Sequence, residues 1–273
     1  MNLGKRTAHT TSWKALLLIG VFTIGIAVYI VLSLQSSSAS YSSIQKELEK
    51  PIYRGSVSKV IFPGSEDELN IPNWQIFESG NIWSFVSGKY PLQNDFTPND
   101  LIATELPQGD AGTDMKYSER LTPSLSAMFK EADAQGHPLM ISSAYRSIVD
   151  QQKLYEDFVS TQGQAAADTY VANPGTSEHH TGLAVDLSDY SESCAADSDR
   201  CSIGIATSQW LAENSYKYGY IVRYPEGKQP ITGIAHEPWH YRYVGVPLAK
   251  MIYSSDLTLD ETLRQMRPAF AQN

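Results

Sequence analysis

The chain has 273 residues, enough for one good-sized domain and an appendage. Its 30 acidic residues outnumber its 21 lysines and arginines, which gives a formal net charge of −9. Such a surface repels nucleic acid and anionic lipid, so it excludes a polyanionic substrate held on a broad basic patch. A local cationic pocket remains compatible with this charge.

An uncharged, apolar stretch over residues 15–34 follows a basic N-terminus. As a helix it measures roughly 30 Å, the thickness of a bilayer core. We therefore expect a cytoplasmic tail over 1–14, a transmembrane signal anchor over 15–34, and the remainder outside the cytoplasm, because basic residues favour the cytoplasmic side. The small residues at 37–39 could serve as a cleavage site, which leaves removal of the anchor open.

Residues 35–88 are expected to form a tether and an N-terminal extension, which either packs on the main domain or forms a small β element. From residue 90 the pattern becomes more regular. Apolar spacing predicts helices over 118–134, 148–159, 165–171 and 205–218. Strands are predicted over 138–143, 182–187 and 220–224. Because strands and helices do not alternate regularly, the sequence indicates an α+β fold rather than a doubly wound sheet.

Two cysteines, Cys194 and Cys201, lie in a polar loop. In an oxidising compartment we expect a disulfide that closes this short loop and stabilises it by about 2–3 kcal/mol. Six residues separate the two cysteines, which does not match the usual spacing of zinc-binding cysteine pairs. Two free thiols are the alternative.

Residues 236–240 read His-Glu-Pro-Trp-His, which has the H-E-x-x-H spacing of a helical zinc motif. In a helix, however, Pro238 would remove a hydrogen bond and clash with the preceding turn, at a cost of about 3 kcal/mol. The following residues, 241–244, are aromatic or β-branched apart from one arginine, and they favour a strand. The sequence therefore argues against the helix, and the other metal ligands must lie elsewhere in the chain.

The segment 177–186 offers those ligands. In its strand portion Gly182, Ala184 and Asp186 share one face, and Leu183 and Val185 share the other. A carboxylate on a largely apolar strand needs a cation or a proton when it is buried. Asp186 is therefore a candidate metal ligand.

His179 precedes the glycine turn and can fold back toward the same point. Zinc accepts imidazole and carboxylate ligands, and catalytic zinc sites keep one position open for water. His179, Asp186 and His240 would form such a three-ligand site. Glu237 would remain beside it as the base.

Two motifs, S-x-H-x-x-G-x-A-x-D at 177–186 and E-x-x-W-H at 237–240, resemble those of the VanY-type zinc D-alanyl-D-alanine carboxypeptidases of peptidase family M15. The resemblance covers roughly residues 90–246 and includes Ser-Ala-Tyr-Arg-Ser at 143–147. It implies zinc bound by the three ligands above and Glu237 as the general base. It also implies a substrate at the free end of the peptidoglycan stem peptide.

The resemblance further implies the fold of zinc D,D-peptidases and Hedgehog-like domains, a small antiparallel sheet with flanking helices. We place this zinc carboxypeptidase domain at 89–256 and a C-terminal tail at 257–273. One departure is His236, where relatives often carry an aromatic residue, and its role stays open.

A carboxypeptidase must also recognise a terminal carboxylate. Arg146 follows a predicted strand and is the natural partner through its two-pronged guanidinium, although an ordinary surface or ion-pair arginine is the alternative. By resemblance, Gln151 and Ser177 are candidate contacts to the substrate.

The motifs leave three other functions open. These are an L,D-carboxypeptidase that removes D-alanine from a tetrapeptide, an endopeptidase that cleaves within the stem, and a non-catalytic zinc-containing module that binds peptidoglycan. Glu237 favours an enzyme over a binding module, because a module that only binds needs no base beside the metal. The expected partners are the stem peptide and, through the N-terminal helix, the membrane.

Overall fold

The computed structural model describes residues 57–60, 69–72, 81–93, 95–109, 115–191 and 202–266. The predicted cytoplasmic tail and signal anchor, and the predicted Cys194–Cys201 disulfide, lie outside these residues. Among the helices that are described, none combines the length and the apolar character needed to cross a membrane.

Three antiparallel β-structures occur within the described residues. Their strands in chain order are β1 (Val57–Val60), β2 (Leu69–Pro72), β3 (Leu101–Ala103), β4 (Lys116–Ser118), β5 (Leu139–Ser143), β6 (Ala184–Asp189), β7 (Tyr220–Tyr224) and β8 (Glu237–Tyr243). Strands β1 and β2 pair with each other, as do β3 and β4. The other four form an antiparallel sheet in the order β5-β6-β8-β7. The β1–β2 pair lies within the predicted N-terminal extension, residues 35–88.

Helices flank this four-stranded sheet. The described helices are α1 (Thr122–Ala134), α2 (Ile148–Gln162), α3 (Gln164–Tyr170), α4 (Ile205–Asn214), α5 (Gln229–Thr232), α6 (Val246–Ser255) and α7 (Leu259–Met266). Short 3₁₀ turns occupy Glu119–Leu121, Glu178–Thr181 and Ser215–Tyr218. Helix α2 begins after Ser147, whose hydroxyl accepts a hydrogen bond from the Asp150 N–H, as expected for an N-cap. The small antiparallel sheet with flanking helices confirms the predicted α+β class.

The main core lies between one face of the sheet and helices α1 and α4. Strand β6 contributes Val185 and Leu187, which are fully buried against Leu125 and Met128 of α1 and against Leu211 of α4. Side chains alternate along a strand, so Asp186, which lies between Val185 and Leu187, faces the other side of the sheet. The core thereby leaves one face of β6 available for a site.

A second core extends the domain beyond its predicted C-terminal boundary at residue 256. Leu259 and Leu263 of α7 are almost fully buried against α6. Residues 259–266, which the sequence assigned to a tail, are therefore part of the folded domain. The two leucines lie four residues apart and share one helix face, a short apolar pattern that is easily missed near a chain end.

Candidate active site

Strands β6 and β8 bring the two motifs together. Their antiparallel register places Asp186 directly opposite His240. Directly opposed residues project from the same face of a sheet, with Cβ atoms about 4.5–5.5 Å apart. The adjacent pair, Val185 and Tyr241, is buried in the core on the other face. Asp186 and His240 therefore meet on the face that the core leaves free.

The run from Glu237 to His240 is extended, as the sequence predicted, and lies in β8. In a regular strand, residues three apart face opposite sides of the sheet. Here the register with β7 shifts: Val222 pairs with Tyr241, but Tyr224 pairs with Glu237. The regular alternation is thus interrupted in this part of β8, and Glu237 Oε2 lies 3.7 Å from His240 Nδ1, so the two side chains are on the same side of the sheet.

His179 reaches this face from the 3₁₀ turn that precedes β6. The Ser177 hydroxyl caps the turn by accepting a hydrogen bond from the His179 N–H. Gly182 ends the turn with φ at +67°, and a Cβ there would lie 2.9 Å from Leu101 Cδ2 and 3.1 Å from the Ser118 nitrogen. Glycine therefore allows the tight reversal that sets His179 Nε2 3.3 Å from Asp186 Oδ2.

The hydrogen-bond partners indicate which imidazole nitrogen each histidine directs into the cluster. His179 Nδ1 lies 2.6 Å from the carbonyl oxygen of Ala144 and donates to it, so Nε2 keeps its lone pair. His240 Nε2 lies 3.5 Å from Glu178 Oε2, whereas Nδ1 lies 3.1 Å from Asp186 Oδ1. The cluster is thus presented with Nε2 of His179 and Nδ1 of His240.

These three side chains fit a metal ion. One ligand atom from each of His179, Asp186 and His240 lies within 4.8 Å of the others. Within the described residues, the buried Asp186 Oδ1 has no hydrogen-bond partner, although it lies only 3.1 Å from His240 Nδ1. A buried carboxylate oxygen in this state is satisfied by a cation. Two imidazoles and one carboxylate suit zinc better than magnesium or calcium.

The pKa values show how strongly these charges interact. Burial lowers the pKa of His179. Burial acts in the same direction on His240, but the nearby carboxylates of Asp186 and Glu178 outweigh it and raise the pKa of His240 to about 9. Burial would raise the pKa of Asp186, yet His179 and His240 hold it well below its ordinary value. The site therefore favours a positive charge beside the carboxylate of Asp186.

Glu237 has the opposite environment. Its carboxyl group is buried, and this desolvation raises its pKa to about 7 even though the nearby His240 acts to lower it. A carboxyl group with a pKa near neutrality can both accept and return a proton.

A buried charge network lies behind His240. The fully buried Glu178 accepts hydrogen bonds through Oε1 from Arg223 Nε (2.8 Å) and from Arg242 Nη1 (2.9 Å). Arg223 also donates to Asp260 of α7 at 2.6 Å. Burial would raise the pKa of Glu178, but the two arginines hold it well below its ordinary value. Glu178 is therefore a fixed anion that faces His240 Nε2.

Sequence reasoning did not identify Glu178 as part of the site. A usable signal was present in the two arginines, since Arg223 follows apolar residues in β7 and Arg242 lies between two tyrosines in β8. A buried arginine needs a carboxylate partner, so their positions call for a buried acidic residue.

Arg146 lines the same cavity, which has a volume of about 170 Å³. Its Nη1 donates to Gln151 Oε1 at 2.7 Å and its Nη2 donates to Ser143 Oγ at 2.8 Å. No carboxylate of the described residues forms an ion pair with Arg146, so its remaining donors can bind a ligand.

The other two predicted substrate contacts differ in position. Ser177 lines the cavity. Gln151 is buried and does not line it; its amide instead donates to the Ala172 carbonyl and its oxygen holds Arg146. Leu154, Tyr170 and Trp239 also line the cavity and are exposed.

Two further histidines stay outside the cluster. His180 Nδ1 donates to the Arg146 carbonyl at 2.7 Å, and its Nε2 accepts from the Gly175 N–H at 3.1 Å. Both ring nitrogens are therefore used in holding loops together. His236 is exposed and does not line the cavity.

A family profile and several known proteins are similar to this chain in the segment that carries these residues. The family profile described as VanY: D-alanyl-D-alanine carboxypeptidase matches residues 114–246. The D-alanyl-D-alanine carboxypeptidase of Enterococcus faecalis is 42% identical over 153 residues, which cover 53% of this chain and 54% of that protein. The bifunctional D-Ala-D-Ala dipeptidase and D-Ala-D-Ala carboxypeptidase VanXYC of Enterococcus gallinarum is 31% identical over 186 residues, which cover 66% of this chain and 93% of that protein.

Solved structures agree with these matches. The LdcB LD-carboxypeptidase is 34% identical with a TM-score of 0.60, covering 68% of this chain and 87% of that one. A zinc complex of the vancomycin-resistance D,D-pentapeptidase VanY is 36% identical with a TM-score of 0.55, covering 66% of this chain and 97% of that one.

Replacing Glu178 with glutamine should destabilise the protein strongly, because two buried guanidinium groups lose the carboxylate that they share. Removing one partner of a buried ion pair costs about 3–5 kcal/mol. Urea unfolding of both proteins measures the change in the free energy of unfolding. Asp150→Asn is the control, because its ion pair with Lys153 is exposed and contributes at most about 1 kcal/mol. Equal losses in the two variants would contradict a stabilising role for the network.

Proposed function

Because this chain belongs to the VanY family of zinc D-alanyl-D-alanine carboxypeptidases, we propose that it hydrolyses the terminal D-alanine of peptidoglycan stem peptides. One observation carries the proposal: a three-ligand metal cluster, a buried carboxyl group and an arginine without a carboxylate partner in the described residues line one cavity. Each of these groups has a separate task in removing a C-terminal residue.

The zinc ion would be held by His179 through Nε2, by Asp186, and by His240 through Nδ1. When bound, zinc supplies a Lewis acid that polarises the scissile carbonyl and lowers the pKa of water toward about 7. Glu178 Oε2 lies 3.5 Å from His240 Nε2, where its negative charge would favour a proton on that nitrogen and leave Nδ1 free for the metal.

Glu237 acts as the general base and then as the general acid. It accepts a proton from the water that attacks the scissile carbonyl, and it passes the proton to the leaving amine. It lies beside His240 Nδ1 but outside the three-residue cluster, so it would be near a bound metal without being one of the three ligands. Its pKa of about 7 suits both transfers.

Arg146 binds the terminal carboxylate of the substrate. Ser143 and Gln151 fix two of its terminal nitrogens, which orients the guanidinium plane before substrate arrives. A guanidinium can bind a carboxylate through two parallel hydrogen bonds. Ser177, on the cavity wall, is a candidate contact to the substrate amide.

A second candidate function is removal of D-alanine from a tetrapeptide by an L,D-carboxypeptidase. The likeness to the LdcB LD-carboxypeptidase favours it. Both activities need the same metal, base and carboxylate site, and they differ in the residue that precedes the scissile bond. Release of D-alanine from pentapeptide and from tetrapeptide by the same enzyme preparation separates the two.

We also propose that residues 15–34 anchor the enzyme in the membrane, with the catalytic domain outside the cytoplasm. The apolar length and the basic residues before it support this proposal. The full-length protein should sediment with membranes and require detergent for release. Intact mass measurement tests for cleavage near residues 37–39, and a full-mass protein in the soluble fraction would contradict the anchor.

Glu237→Gln should lower kcat by roughly 10²–10⁴-fold, because the variant cannot accept the proton of the attacking water. Zinc content should stay at the wild-type level, because Glu237 is not a ligand. Release of D-alanine from a pentapeptide and metal analysis of the same sample measure both quantities, and a chelator should abolish wild-type activity. Glu226→Gln is the control, because Glu226 is exposed and lies outside the cavity. Unchanged hydrolysis in Glu237→Gln would make this mechanism wrong.

Arg146→Ala should raise KM for the pentapeptide by roughly 10- to 100-fold, since it removes a charged hydrogen-bond partner of the terminal carboxylate. Arg146→Lys should recover only part of this loss, because it restores the charge without the two-pronged geometry. Steady-state kinetics on pentapeptide measure the effect, with Lys153→Ala as an exposed cationic control. Nearly intact cleavage by Arg146→Ala would instead indicate an endopeptidase.

A further inference from the structure

We propose that Asp260 of α7 is a positioning residue for the zinc site, on which it acts through Arg223 and Glu178. Asp260 is not one of the three metal-binding residues, and it does not line the catalytic cavity. Helix α7 also lies after the segment 114–246 that matches the family profile. The inference rests on the metal site of the proposed function and does not depend on which peptide the enzyme cleaves.

A continuous line of buried contacts joins α7 to His240. Arg223 donates hydrogen bonds from Nη1 to Asp260 Oδ2 at 2.6 Å and from Nε to Glu178 Oε1 at 2.8 Å. Glu178 Oε2 then lies 3.5 Å from His240 Nε2. None of these four side chains exposes more than 6% of its surface. Charges in such surroundings are screened much less than charges on the surface, so a change at Asp260 affects His240.

The last step of this line joins two buried atoms that lack other partners. Within the described residues, neither Glu178 Oε2 nor His240 Nε2 has a hydrogen-bond partner. The negative charge of Glu178 favours the His240 ring with its proton on Nε2, which leaves Nδ1 for the metal, and it stabilises the positive charge that a bound ion confers on the ring. The strength of this effect depends on where the carboxylate of Glu178 is held.

Two arginines hold that carboxylate, and they are anchored differently. Arg242 donates to three backbone carbonyls in addition to Glu178. Arg223 instead donates to a second carboxylate, that of Asp260. Backbone contacts therefore fix Arg242, whereas the position of Arg223 depends on Asp260.

Asp260 also balances the charge of this network. Glu178 and Asp260 carry two negative charges, and Arg223 and Arg242 carry two positive charges. Without Asp260 the network would hold an excess positive charge near His240, which would repel a bound cation. Asp260 borders a second cavity, of about 430 Å³, and three other charged residues that line it form no ion pair with the network in the described part of the chain: Lys89, Asp168 and Arg264.

Zinc affinity tests the inference. Asp260→Asn keeps the size of the side chain and removes its charge, and it should raise the Kd for zinc about tenfold, an effect typical of changes behind a metal ligand. Competition with a coloured chelator measures the Kd of the full-length, metal-free protein, and circular dichroism checks the fold. Asp260→Glu should bind zinc more tightly than Asp260→Asn, because it restores the charge and the second cavity has room for one more methylene.

Two control variants separate this role from a loss of stability. Glu261→Gln breaks a different ion pair of α7, the one with Lys228 at 3.4 Å. Phe129→Ala removes a buried ring from the main core and should lower the free energy of unfolding. Both variants should keep the wild-type Kd for zinc, because neither changes a residue of the network.

Hydrogen exchange of the wild type gives a second test that needs no variant. Coupling between two sites is reciprocal, so zinc should stabilise the docked α7 by the same factor. Backbone amides of α7 that exchange by local opening should therefore exchange about tenfold more slowly in the zinc-loaded protein. Amides of α4 that exchange by local opening should not change, because α4 carries no residue of the network. Exchange in α7 that is independent of zinc would contradict the coupling.

The binding results separate failure of this inference from failure of the proposed function. An equal Kd in the wild type and Asp260→Asn, or an equal rise in either control, would overturn the inference and leave the zinc site in place. Equal Kd values in Asp260→Asn and Asp260→Glu would overturn it as well, because the charge of Asp260 would then have no effect. Failure of the metal-free wild type to bind zinc would contradict the proposed function itself.

Discussion

The pairing of Asp186 with His240 across β6 and β8 is the contact on which the rest of the site depends. Side chains alternate along both strands, so the register that packs Val185 and Tyr241 into the core also brings Asp186 and His240 together on the opposite face. A slip of one residue would exchange the two faces and expose the core residues to water. Hydrophobic burial on one side of the sheet therefore fixes the geometry of the metal cluster on the other.

The buried charges around Glu178 extend this constraint to distant parts of the chain. Glu178 belongs to the turn that carries His179, while its two arginine partners lie on β7 and β8. Arg242 also donates to the carbonyls of Ile82 and Ser84, and Arg223 donates to Asp260. The N-terminal extension and α7 are thus hydrogen-bonded to the residues that orient His240, which explains why both belong to the folded domain.

Much of this site could be predicted from the sequence, because the residues that indicate it lie close together in short segments of the chain. Pro238 and the aromatic residues after it were sufficient to predict a strand, and the two motifs identified the cluster. The irregular pairing of β8 with β7 beside Glu237 is not encoded by any local pattern, and neither is the approach of Glu237 to His240. The role of Glu178 likewise depends on the strand order. Gln151 was predicted as a substrate contact, but the fold buries it behind Arg146.

Two consecutive histidines bind the loop that carries Arg146. His179 and His180 donate to the carbonyls of Ala144 and Arg146, and the Arg146 N–H donates back to the carbonyl of His179. The backbone of Arg146 is thereby hydrogen-bonded to the segment that carries His179, so the two residues are held next to each other. Under the proposed function, a substrate carboxylate bound by Arg146 would therefore lie at a fixed distance from the metal cluster, and the scissile bond would be selected by its distance from the chain end.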